Sequence, residues 1–97
     1  MTKAYWVAQI DITDPDAYEQ YRAANADAFE KYGGHFLVRG GPQDVREGNP
    51  KSRTVVIEFA DLDDATACYE SPEYQRAKAL RDPASEVDLV IVPGWDG

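Results

Sequence analysis

Residues 54–60, TVVIEFA, and residues 34–41, GHFLVRGG, decide how this chain folds. Both stretches are short, apolar and rich in Val, Ile and Phe, which suit a pleated, half-buried surface. Between them lie Gly41-Pro42 and Gly48-Asn49-Pro50, strong chain-turning signals. The pair reads as a β-hairpin at the centre of a sheet. In its first strand Phe36 and Val38 share one face, and His35, Leu37 and Arg39 share the other. In its second, Val55, Ile57 and Phe59 oppose Thr54, Val56 and Glu58. Gly40-Gly41-Pro42 breaks or bulges the first strand, and residues 44–47 can continue it. A hairpin turning near Gly48-Asn49 sets Arg39 near Glu58 across the strands.

The flanking segments supply a layer on this sheet and two more strands. Residues 4–12 alternate, with Trp6, Ala8, Ile10 and Ile12 on one face. The opposite face, Tyr5, Val7, Gln9 and Asp11, is mixed, as expected where the far side is also partly covered. Asp14-Pro15 starts a helix, because Asp caps free N–H groups and Pro has none to leave unpaired. Ala17, Tyr18, Tyr21, Ala24, Ala28 and Tyr32 recur at helical spacing as its packing stripe, and Gly33-Gly34 ends it. A tyrosine-rich stripe carries hydroxyls that need partners, so this face can border a wet cavity. Residues 61–70 form a second helix capped by Asp61, with Leu62, Ala65 and Tyr69 inward. Ser71-Pro72 starts a short third helix bearing Tyr74, Ala77, Lys78 and Arg81, and Asp82-Pro83 stops it. Residues 86–93, EVDLVIVP, are the last strand, and Trp95 sits in the tail.

The order β-α-β-β-α-(short α)-β is the split βαβ, ferredoxin-like pattern, an α+β fold with an antiparallel four-stranded sheet and helices on one face. All 97 residues form one domain. Val7, Leu37, Val56, Val90 and Val92 make the other face too apolar to meet water. Two such sheets packed face to face would cover it, so the expected state is a homodimer.

The formal charge of -8 argues against nucleic acid and against an anionic membrane surface as partners. One cysteine, Cys68, excludes an intramolecular disulfide. The start of the chain lacks the features of a signal peptide and no apolar run reaches membrane-spanning length, so a cytoplasmic setting is expected.

Four stretches carry a resemblance: YWVAQIDITDPDAYEQY, KYGGHFLVRGG, TVVIEFADLDDATACYESPEYQRAKALR and DLVIVPG. Together they cover nearly the whole chain, which resembles the family known as domain of unknown function 1330. That family looks like a branch of the dimeric α+β barrel group. The group includes small cofactor-free monooxygenases, chlorite-dismutase-like and haem-degrading proteins, muconolactone-isomerase-like proteins and stress-response proteins. The resemblance implies the fold and the dimer. It implies no particular reaction.

A cavity between helices and sheet is the expected ligand site in such a fold. Tyr21, Arg39, Glu58, Tyr69, Tyr74 and Arg81 are the polar residues expected to reach it or its rim. Arg39 and Glu58 could form a cross-strand ion pair, or Arg39 could bind a carboxylate or enolate while Glu58 moves a proton. Arg81 suits the negative end of its helix or an anion. His35, the single histidine, is a further candidate base but reads first as a surface or interface residue. No metal site is expected, since one His and one Cys in separate elements are no ligand set, and no cofactor is called for. Three functions follow: a homodimer binding a small anionic or aromatic organic molecule; a cofactor-independent monooxygenase- or isomerase-like enzyme; and a non-enzymatic stress-response or protein-interaction module.

Overall fold

The alternation at the start of the chain becomes strand β1 (Ala4–Ile12), buried at every second residue from Ala4 to Ile10. The computed structural model describes residues 2–96. Asp14 caps helix α1 (Pro15–Tyr32) by accepting the Ala17 N–H, and Gly33 closes it in the left-handed region at φ 74°. Strands β2 (His35–Arg39) and β3 (Arg53–Phe59) follow, then helices α2 (Leu62–Glu70) and α3 (Pro72–Arg81). A 3-10 turn, Asp82–Ala84, leads into β4 (Ser85–Pro93). Asp61 and Ser71 cap α2 and α3 through the N–H groups of Asp64 and Tyr74.

The strands lie in the order β2-β3-β1-β4, each antiparallel to its neighbour. This is the ferredoxin-like α+β arrangement expected from the sequence. Several local expectations are corrected. The hairpin is not at the centre: β1 lies between β3 and β4, leaving β2 at an edge. Residues 44–47 form no strand; the whole of 40–52 is an irregular connection. Its Gly and Pro residues, together with edge placement, leave those backbone groups no strand to pair with.

A bulge falls between Phe36 and Val38, while Gly40-Gly41-Pro42 breaks the strand, the other outcome expected there. Leu37 is the extra residue, and it reverses the facing of everything after it. Phe36 stands opposite Ile57 and Arg39 opposite Val55, both on the helix side, while Val38 stands opposite Val56 on the outer side. The α1 stripe also differs from expectation. Tyr18, Tyr21 and Ala28 are buried as expected, but so are Asn25 and Phe29. On α2, Cys68 replaces Leu62 as an inward residue; Leu62 is exposed.

Trp6 lies at the centre of the helix-side core. Its ring packs against Phe29 of α1, Phe59 of β3, Tyr69 of α2 and Tyr74 of α3, with centroids 4.8–5.7 Å away. Three of the four contacts are edge-on, the favoured aromatic geometry. Its Nε1–H donates to the Ala65 carbonyl at 2.9 Å, tying β1 to α2 in a buried setting.

Among the described residues nothing forms a layer over the other face of the sheet. One valine from each strand forms a continuous row there: Val38 opposite Val56, Val56 opposite Val7, Val7 opposite Val90. Val90 and Leu37 are each 55% exposed. The fold is a slab of 38 × 36 × 16 Å, the thickness of one sheet and one helix layer.

These contacts predict a graded response at position 6. Trp6→Ala should cost about 3–5 kcal/mol through the cavity it leaves. Trp6→Phe keeps a ring but loses the indole N–H bond to the Ala65 carbonyl and part of the ring's packing, and should cost about 1–3 kcal/mol. Urea unfolding midpoints of the two variants check both the sign and the order.

Candidate functional site

A cavity opens between the sheet and α1, where the ends of β2 and α3 meet the start of β3. It holds about 40 Å³ of room for water centres, enough for roughly three waters at 10–15 Å³ each. The sheet contributes an apolar surface of Trp6, Ile10, Phe36, Val55 and Leu89. Helix α1 contributes Tyr18, Tyr21, Arg22 and Asn25, and α3 contributes Arg81. Arg39 and Arg53 close the corner from β2 and β3. Four of the six arginines in the chain therefore line one cavity, and no Asp or Glu lines it.

The four guanidinium groups are held differently. Arg22 pairs with Glu19 one turn back, at 2.7 Å. Arg81 is almost wholly buried; it donates from Nη1 to the Tyr74 hydroxyl at 2.8 Å and from Nη2 to Asp82 at 3.2 Å. Arg39 stacks on Phe36, its guanidinium carbon 4.3 Å from the ring centroid. Arg53 donates to the Arg39 carbonyl at 3.4 Å. Among the described residues, neither Arg39 nor Arg53 has a carboxylate within ion-pair distance. The Nε–H groups of Arg53 and Arg81 are buried without a hydrogen-bond partner. A buried unpaired donor carries a desolvation cost that an acceptor in the cavity would relieve.

Gly40 makes room for this corner. It sits at φ 77°, and a Cβ placed there would collide with the Arg53 guanidinium. Gly33 has nearly the same φ but open space around it.

Of the residues expected at the site, the structure brings Tyr21, Arg39 and Arg81 to the cavity. Tyr74 stands just behind them, fully buried, its hydroxyl 2.8 Å from that of Tyr21. Burial, followed by the neighbouring Tyr21, pushes the Tyr74 phenol far above its ordinary pKa, so it keeps its proton. Tyr69 packs on Trp6 and Tyr74 and does not line the cavity. The expected approach of Arg39 to Glu58 does not occur. The bulge at Leu37 turns Arg39 inward, while Glu58 stays on the outer face and pairs with Lys3 at 3.0 Å. His35, exposed, lies opposite Glu58 on that same outer face. Neither can serve a ligand in the cavity.

Arg22, Asn25 and Arg53 were not among the expected site residues. Their signals were nonetheless present. Arg22 and Asn25 fall four and seven residues after Tyr18, on the buried stripe, and Arg53 falls two before Val55, on the inward face of β3. Among the described residues no group of three or more His, Cys, Asp or Glu is placed to hold a metal ion. Nor is any described helix long and apolar enough to cross a membrane. Cys68 is fully buried, and burial, with Glu73 second, raises its thiol from 9.0 to about 12.

The family profile described as Domain of unknown function (DUF1330) matches residues 3–95. The chain belongs to this family. No curated protein matches it. Among solved structures, the DUF1330 domain is similar to RPA0582, a protein of unknown function from Rhodopseudomonas palustris, at TM-score 0.75 and 15% identity over 99% of this chain and 85% of that one. It is similar to SnoaB, a cofactor-independent oxygenase from Streptomyces nogalater, at TM-score 0.63 and 15% identity over 100% and 97% of the two chains. A dimeric ferredoxin-like protein of unknown function from Bacteroides fragilis NCTC 9343 matches at TM-score 0.63 and 15% identity over 94% and 95%. At these identities the likeness is one of fold.

Two outcomes follow from this geometry. Gly33→Ala should cost about 1 kcal/mol for its left-handed backbone alone, and Gly40→Ala should cost more because Arg53 must also move. Chemical denaturation of the pair reads the difference. Cys68 should resist iodoacetamide at pH 8 in the folded protein and react promptly in urea, followed by intact-mass spectrometry.

Proposed function

We propose that this domain is a homodimer that binds a small anionic molecule with an apolar or aromatic body in the cavity between helices and sheet. One observation carries the reading: four guanidinium groups and, among the described residues, no carboxylate line an apolar cavity in a chain of net charge -8. Arg22 and Arg81 are already paired with Glu19 and Asp82, but Arg39 and Arg53 are not, and an oxyanion offsets their local charge by charge-assisted hydrogen bonds. The apolar floor then selects a hydrocarbon body over a bare inorganic anion. The enclosed room of about 40 Å³ takes the oxyanion head of such a ligand, and a ring attached to it extends toward the exposed Arg39.

Benzoate and its neutral counterpart benzamide test this by titration calorimetry. Benzoate should bind, and benzamide should bind more weakly. Arg39→Ala should weaken benzoate by roughly five- to tenfold, the worth of one partly exposed charge-assisted contact, and leave benzamide unchanged. Equal affinity for the two compounds would sink the anionic reading.

The homodimer is supported by the uncovered valine row on the outer face and by the dimeric description of a ferredoxin-like protein of the same fold. A symmetric contact sets this face against itself. Val90→Lys changes a side chain that is 55% exposed in the single subunit, so it should leave the fold intact and dissociate the dimer. Sedimentation velocity at matched concentrations reads this directly.

A second reading, a cofactor-independent oxygenase, is supported by the similarity to SnoaB. Glu58 and His35, both on the outer face, are not available to it as proton carriers. Tyr18 and Tyr21 are the tyrosines that remain at the cavity.

A further inference from the structure

The hydroxyls of Tyr21 and Tyr74 lie 2.8 Å apart, and distance alone leaves open which one donates. Counting protons settles it. Arg81 is a donor with no acceptor capacity, so Tyr74 Oη must accept its Nη1–H at 2.8 Å. Tyr74 is fully buried and keeps its own proton, which then needs an acceptor. Tyr21 Oη is the acceptor within reach. Tyr74 therefore donates to Tyr21, and the Tyr21 proton is left over. Tyr21 lines the cavity and Tyr74 does not. The opposite direction would bury the Tyr74 proton without a partner, at a cost that the first arrangement avoids.

We propose that Arg81, Tyr74 and Tyr21 form a one-way hydrogen-bond relay that presents the Tyr21 O–H to the cavity as the donor for a ligand oxyanion of the phenolate, enolate or carboxylate class. This rests on the reading of the cavity as a small-molecule site. Tyr21 is the group that touches ligand, and Tyr74 and Arg81 are positioning residues. Each bond in the chain polarises the next, so the cationic end at Arg81 strengthens the donor at Tyr21. Tyr74 is held in place by its edge-on contact with Trp6 at 4.8 Å and with Tyr21 at 6.2 Å, which fixes the aim of the relay. A neutral ligand oxygen would gain less, because a hydrogen bond to a charged acceptor is roughly twice as strong.

The probe is p-nitrophenol, whose visible absorbance reports its own ionisation. In the wild-type protein the bound probe should ionise at lower pH than the free one, because the cavity holds the phenolate more tightly than the phenol. Tyr21→Phe removes only the terminal hydroxyl and should weaken phenolate binding by about tenfold or more while sparing the phenol form. Tyr74→Phe leaves every atom that touches ligand in place and should still raise the pH at which the bound probe ionises, with roughly threefold weaker phenolate binding. A side chain that merely packs would change both probe forms alike. If both variants bind phenolate as the wild type does, while Arg39→Ala still loses it, the relay is wrong and the anionic cavity stands. If the wild-type protein binds neither form of the probe, the cavity reading falls and the relay with it. Should Tyr74→Phe fail to fold, as judged by circular dichroism, Tyr21→Phe decides the matter alone.

Discussion

The burial of Trp6 is the constraint on which the rest of the structure depends. Among the described residues it is the one side chain that touches a ring on each of α1, α2, α3 and β3. A small domain has few residues able to do this, since its core is limited by surface-to-volume scaling. The indole also carries a polar atom into the core, and the Ala65 carbonyl satisfies it at 2.9 Å. The bond sets the depth of α2 over the sheet. The same ring then forms part of the cavity floor, so core packing and the candidate site share an atom surface. Tyr74 links them further, touching Trp6 with its ring and Tyr21 with its hydroxyl.

The two faces of the sheet divide the chemistry of the chain. On the helix side the apolar residues of β1 and β3 are buried, and the corner left open by the helices collects arginines. On the outer side the valine row is bordered by ion pairs, Lys3 with Glu58 and Lys51 with Asp88. Among the described residues no acid lines the cavity, and the two nearest its arginines, Glu19 and Asp82, pair with Arg22 and Arg81 from outside the lining. A positive pocket within a negative protein makes the local field, not the net charge, the quantity a ligand meets.

Much of the fold was legible in the sequence. The strand positions, the caps at Asp14, Asp61 and Ser71 and the stop at Asp82-Pro83 follow from residues interacting with near neighbours in the chain. Period-two alternation set the inward faces of β1, β3 and β4 correctly, because those strands are regular. It failed for β2, where one extra residue, Leu37, sends Val38 out and Arg39 in. Period two has no way to announce an insertion that is defined only by the partner strand. The inferred Arg39–Glu58 pair went with it.

The site was legible in part. Tyr21 and Arg81 were recognisable as polar residues on elements that face the cavity, Arg53 and Asn25 could have been reached by the same periodicities, and Arg39, though named, reaches the cavity only through the bulge. By itself the sequence determined the element order, the helix ends, the ferredoxin-like topology and the excess of apolar residues on the outer face. Each of these depends on spacing along the chain, which local backbone geometry converts directly into structure. Only the tertiary structure decided that four arginines from α1, β2, β3 and α3 converge, that Glu58 answers to Lys3, and that the hydroxyls of Tyr21 and Tyr74 meet beside Arg81. Those relations join residues far apart in the chain, and their geometry is fixed by the register of the sheet and the packing of helices on it.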